Sequence, residues 1–204
     1  MGLHILAVCT GNICRSPLME LLLLRGLEQR LGADRAGVTV ASAGTLAMNG
    51  DPMEPAALRA ARSLGLQTAG EHRSRRLTPA VLADVDLVLC AAREHRTAVV
   101  TAAPHLLRRT FTLRELARLA ALVARPGPTA TPSGQSGLAS APADAQVVLS
   151  ACYAARGPAR VANPADDDVP DPIGRPDEVH DQVGRQIDEA VDAVLARLIP
   201  QVLT

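Results

Sequence analysis

The densest chemistry in this chain sits in eight consecutive residues, Cys9-Thr10-Gly11-Asn12-Ile13-Cys14-Arg15-Ser16. A short apolar run, Ile5 to Val8, precedes them, and a helix-patterned apolar stretch through Leu18, Leu21, Leu22 and Leu27 follows. A loop between a strand and a helix start turns successive backbone N–H groups outward, where they surround an anion. The segment from Thr10 to Ser16, with Gly11, Asn12, Ile13, Cys14 and Arg15, therefore reads as a phosphate-binding loop. Gly11 is free to take backbone angles closed to other residues and Asn12 tolerates the left-handed region, so both suit a tight winding. A helix start and a nearby guanidinium lower a thiol from about 8.5 to roughly 3.5–7.5, which makes Cys9 a nucleophile. Arg15 holds two phosphate oxygens in a planar fork and follows charge as phosphorus becomes five-coordinate. Ser16 donates to the Cys9 sulfur. The chemistry needs no metal and no cofactor. A bare cysteine five residues ahead of an arginine proves little in so arginine-rich a chain; Gly11, Asn12, Ser16 and the apolar flanks make the signal specific.

The rest of the sequence narrows the setting. Its 21 basic and 21 acidic residues cancel, so no overall field draws it to nucleic acid or an anionic membrane. Every basic residue is Arg, which excludes a lysine Schiff base. Cys9, Cys14, Cys90 and Cys152 are too few and scattered for a disulfide scaffold, and none forms a paired zinc pattern. The N-terminus carries no signal-peptide or myristoylation pattern, and no apolar stretch reaches membrane-spanning length, so a cytoplasmic location is expected.

Elements able to position such a loop can be read along the chain. Short apolar runs predict strands at Leu3–Cys9, Val38–Ser42, Asp86–Cys90 and Arg108–Phe111. Helical spacing is expected from Arg15, at Ala57 to Leu64 before Gly65, after Cys90 with Val99 inward, from Leu113 to Val123, and from Val179 to Leu198. Alternation of this kind predicts an α/β fold of parallel βαβ units with helices on both faces, and ligands beyond the carboxyl ends of the strands. The 204 residues read as one domain, and the stretch 125–143, rich in Pro, Gly and Ser, as a flexible insertion.

The loop Cys9–Ser16 matches every fixed position of CxGNxCRS, the phosphate loop of the low-molecular-weight protein tyrosine phosphatases, which this chain resembles. The likeness continues in family order through Ser42-Ala-Gly-Thr45, Asp86-Leu-Val-Leu89, His95 and Asp171-Pro172. It implies a three-layer fold around a four-stranded parallel sheet and a two-step reaction through a cysteinyl-phosphate. Cys9, Arg15 and Asp171 would be catalytic, with Asp171 protonating the leaving oxygen and then accepting a proton from the attacking water. Ser42 would support the loop by bonding Asn12. Cys14 would be either filler or a reserve thiol that bonds to Cys9 under oxidation, the resemblance favouring the second. The partner implied is a phosphotyrosine protein or a small phosphomonoester.

Some features depart from that pattern. Ile173 and Gly174 follow Asp171-Pro172 where aromatic residues are common, and the loop Leu46 to Gly50 lacks the aromatic or large residue often found there. Tyr153 and Phe111 are the chain's only aromatic side chains of the Phe, Tyr and Trp types, so an aryl substrate has few stacking partners. A second reading is arsenate reduction on the same fold, with Cys90 as first resolving thiol and Cys152 as the sole remaining second one. A third is a phosphate-binding module without turnover. Asp166, Asp167 and Asp168 are expected to face solvent, His72 and His95 to be capping or surface residues, and Arg73, Arg75 and Arg76 to form a solvated face or an attraction for phosphoprotein.

Overall fold

The computed structural model describes residues 2–33, 35–123 and 141–199. Strand β1 (Leu3–Cys9) is the pivot of the molecule. Leu3, Ile5, Ala7 and Cys9 point into one apolar cluster, while Leu6 and Val8 point into another, so both faces of the strand are buried. That is the pattern of a central parallel strand covered on both sides.

Strands β2 (Val38–Gly44), β3 (Leu87–Cys90) and β4 (Thr110–Thr112) complete a four-stranded parallel sheet in the order β2-β1-β3-β4. One face carries helices α1 (Arg15–Leu31), α2 (Pro55–Ser63), α5 (Leu113–Leu122), α6 (Ala141–Ala155) and α7 (Asp177–Leu198), which pack through Leu18, Ala57, Leu116, Val148 and Ile187. The other face is covered by α3 (Pro79–Leu82) and α4 (Arg93–Ala102) through Leu82 and Val99, with Leu106 beside them. The three layers expected from the alternating pattern are therefore present. Among the described residues, no helix is long and apolar enough to cross a membrane.

The differences from the sequence reading have local causes. Strand β2 runs on past Ser42 to Gly44 because Cys9 and Gly44 are register partners at the end of the ladder. Strand β4 is Thr110–Thr112, not Arg108–Phe111, since Pro104–Arg109 forms a 3₁₀ turn. Thr112 then caps α5 by accepting from Glu115 N. The stretch 125–143 lies outside the described residues up to 140, and its last three residues already belong to α6.

Candidate active site

The loop after β1 is held by groups from three other segments, α1, β2 and the stretch 72–75. Asn12 is fully buried and left-handed, with φ of 53°. Its Nδ2 donates to Ser16 Oγ at 2.9 Å and Ser42 Oγ at 2.8 Å, and its Oδ1 accepts from Arg75 N at 2.8 Å. Ser42 Oγ donates in turn to Glu20 Oε2 at 2.5 Å. His72 Nε2 donates to the Asn12 carbonyl at 2.7 Å, and Arg75 Nε to the Ser42 carbonyl at 2.6 Å. Ser42 thus makes the expected contact, whereas Glu20, His72 and Arg75 are supports that sequence reasoning missed. A buried asparagine with four hydrogen-bonding sites demands such partners, but nothing in their own spacing announces them.

Gly11 does not need a left-handed backbone. A Cβ there would lie 3.3 Å from Ile13 Cγ1, so its constraint is room beside Ile13. The tighter position is Gly44, where a Cβ would come within 2.5 Å of the Thr10 carbonyl and 2.8 Å of Asn12 N. The end of β2 is laid directly against the loop, held by Thr45 N to Cys9 O and Leu46 N to Thr10 O, each 2.9 Å.

Cys9 Sγ lies 3.0 Å from Ser16 Oγ, and both are buried. Ser16 Oγ also reaches the Ala43 carbonyl at 3.3 Å. A hydroxyl has a single proton. With Cys9 as thiol, the S–H can donate to Ser16 while Ser16 donates to Ala43; with a thiolate, the hydroxyl turns to the sulfur. Arg15 is 4% exposed and points at the acid loop, donating from Nη1 to the Val169 carbonyl at 3.2 Å and from Nη2 to Asp171 Oδ2 at 2.7 Å. Asp171 is half exposed, and its Oδ1 accepts from Ile173 N at 3.2 Å. Cys9 with Ser16 and, from the neighbouring residue of the same loop, Arg15 with Asp171 thus form two directly contacting pairs.

Two of the three preceding acids are not solvent charges. Asp167 is buried and takes both Arg118 Nε and Nη2, at 3.0 and 2.8 Å, because its loop crosses the start of α5. Asp168 accepts from Arg93 N at 2.8 Å and Arg93 Nε at 3.1 Å. Asp166 is exposed, as expected. His95 is a capping histidine, as expected, but not a surface one: it is 1% exposed, accepts from the N-cap Ala92 N of α4 through Nδ1 at 3.0 Å, and meets Thr10 Oγ1 through Nε2 at 2.9 Å.

The remaining thiols are buried and free. Cys14 Sγ is 3.9 Å from His180 Nδ1, and burial pushes its thiol well above the ordinary range, with Cys9 adding to the rise. Cys90 is fully buried, and burial raises it likewise. It belongs to the cluster on the opposite face of the sheet from Cys9, since it is the register partner of Val8. Cys152 is raised to about 11, again by burial. Among the described residues, no group of three or more His, Cys, Asp or Glu is placed to hold a metal ion.

The surroundings of the loop are aliphatic. Leu46 is 65%, Met48 69% and Ile173 47% exposed, so the second loop does carry large apolar side chains, though no aromatic one. Phe111 is in the core beneath Arg156, and Tyr153 lies beside the same guanidinium.

Residues 4–123 match the model of the family described as low molecular weight phosphotyrosine protein phosphatase. The probable low molecular weight protein-tyrosine-phosphatase EpsP of Ralstonia nicotianae is 40% identical over 85 residues, 42% of this chain, which thus spans about half (52%) of that relative's length. The low molecular weight protein-tyrosine-phosphatase Etp of Escherichia coli K12 is 38% identical over 107 residues, covering 52% of this chain and 66% of Etp. Among solved structures, the YwlE arginine phosphatase of Geobacillus stearothermophilus superposes with a TM-score of 0.64 at 26% identity, covering 96% of this chain and 92% of that one.

Proposed function

Because the chain belongs to the low molecular weight phosphotyrosine protein phosphatase family, we propose that it hydrolyses phosphate monoesters, protein phosphotyrosine first among them, through a cysteinyl-phosphate on Cys9. The observation that carries the reading is a pair of contacts made by consecutive residues of one loop, Ser16 Oγ to Cys9 Sγ at 3.0 Å and Arg15 Nη2 to Asp171 Oδ2 at 2.7 Å. An entering phosphate dianion competes with Asp171 for the Arg15 guanidinium, which offers five N–H donors in a fixed fork. Backbone N–H groups of the loop and the first turn of α1 receive the other oxygens.

In the first step the Cys9 thiolate attacks phosphorus, the P–O bond to the leaving group breaks, and the Asp171 carboxyl gives its proton to the departing oxygen. In the second, water attacks the thiophosphate, loses a proton to the Asp171 carboxylate, and the S–P bond breaks to return the thiolate. Ser16 stabilises the sulfur anion before and after. Reduced cysteines suit a cytoplasmic setting, which we adopt as the working location.

Leu46, Met48 and Ile173 give substrates an aliphatic rim that contacts an aryl ring without stacking on it. Cys90 faces away from Cys9 across the sheet, an arrangement that speaks against a thiol relay and thus against arsenate reduction. The test is release of phenol from a chromogenic aryl phosphate with chelator present. Wild type should turn over without metal and Cys9→Ser should fall to background; phosphate binding without turnover in wild type would instead mean a recognition module.

A further inference from the structure

The turn between β3 and α4 touches both halves of the site. On one side, Val169 N donates to the Ala91 carbonyl at 2.7 Å, and Arg93 donates twice to the Asp168 carboxylate, at 2.8 and 3.1 Å, which holds the segment leading to Asp171. On the other side, His95 Nε2 meets Thr10 Oγ1 at 2.9 Å, one residue beyond the nucleophile.

The ring's protonation follows from its partners. The Ala92 N–H can only donate, so His95 Nδ1, 3.0 Å away, carries no proton and the neutral ring has its hydrogen on Nε2. That hydrogen goes to Thr10. Glu94 Oε1 is 3.4 Å from the same nitrogen, on a side chain 71% exposed to water, and is the weaker competitor. A charged ring would set a second N–H against that of Ala92. Burial and Arg15 likewise hold the imidazole below its ordinary value, against the opposing pull of Glu94, Asp171 and Asp168.

We propose that His95 is a positioning residue for the phosphatase reaction: its Nε2–H ties Thr10, and so the peptide carrying Cys9, to the same turn that holds the acid loop. Nucleophile and proton donor then share one rigid reference, and a displacement of about 1 Å at such a site costs on the order of a hundredfold in rate. The inference rests on the phosphatase reading above.

The test is a double-mutant cycle on the full chain with His95→Ala, Thr10→Val and their combination, plus His95→Gln, measured as kcat and KM on an aryl phosphate alongside thermal melting. His95→Ala should lower kcat by at least roughly tenfold with KM moving less than about threefold, the signature of a lost transition-state arrangement. Thr10→Val should lose a similar amount, and the double variant no more than the worse single one. Gln offers an oxygen to Ala92 and an N–H to Thr10, so His95→Gln should return kcat to within about threefold of wild type. Losses that multiply in the double variant, or a folded His95→Ala with wild-type kcat, would overturn the proposal. Where His95→Ala does not fold, a folded His95→Gln as poor as Thr10→Val does the same. A wild type without Cys9-dependent turnover would instead overturn the phosphatase reading itself.

Discussion

Asp171 is bonded through both carboxylate oxygens, to Arg15 at 2.7 Å and to Ile173 N at 3.2 Å, while its side chain stays half exposed. That placement suits a group which must exchange a proton with both a leaving oxygen and water. If it is the general acid, its worth depends on how badly the leaving group needs a proton. Asp171→Asn should therefore slow phenyl or alkyl phosphates by about a hundredfold or more, and an aryl phosphate with a strongly acidic phenol by no more than about threefold. Steady-state rates across a leaving-group series check it, and equal losses at both ends would remove Asp171 from that role. Residues 9–16 were legible in the sequence because they are contiguous and their types point to one chemistry. Glu20, His72 and Arg75 were not, because what identifies them is the network around the buried Asn12, which His72 and Arg75 contact directly and Glu20 reaches only through Ser42, and those contacts exist only after folding.

At the scale of elements, the periodic strands and helices followed from apolar spacing, since each buries a continuous stripe. Helix α6 did not: Ala, Val and Leu are spread around its circumference, and the Pro- and Ser-rich run before it masks the start. The junction of β2 with the phosphate loop was invisible for another reason, namely that it depends on the absence of a side chain. At Gly44 an added methyl meets the Thr10 carbonyl at 2.5 Å and Asn12 N at 2.8 Å, both backbone atoms that can yield only by unwinding the loop. Gly44→Ala should thus cut kcat/KM by about a hundredfold or more and lower stability by about 2 kcal/mol or more. Gly157→Ala, where a methyl meets nothing within 4 Å, is the matched control and should leave both unchanged. Unimpaired Gly44→Ala kinetics would mean that the loop is not held by this approach.

For the whole molecule, the question is what fastens α6 to the rest, since the family match ends at residue 123 and α6 lies beyond it. Arg156, just past α6, donates to Glu115 Oε1 at 2.7 Å and Oε2 at 3.0 Å and to the Thr110 carbonyl at 2.9 Å, and its guanidinium lies 4.4 Å from the Phe111 ring centroid. Arg156 and Glu115 are only 18% and 10% exposed, so the pair is shielded from water and screening. Removing one partner leaves the other charge buried and alone, at a cost of about 3–5 kcal/mol, whereas removing both leaves no orphan. Arg156→Met should therefore lower the melting temperature strongly, and Glu115→Gln with Arg156→Met should recover part of the loss. Neither residue touches Cys9, Arg15 or Asp171, so kcat measured well below the transition should stay within about twofold of wild type. A kcat that falls with stability intact would show instead that α6 reaches the loops carrying Cys9 and Asp171 through β4 and the Thr112 contact with the Asp167 carbonyl.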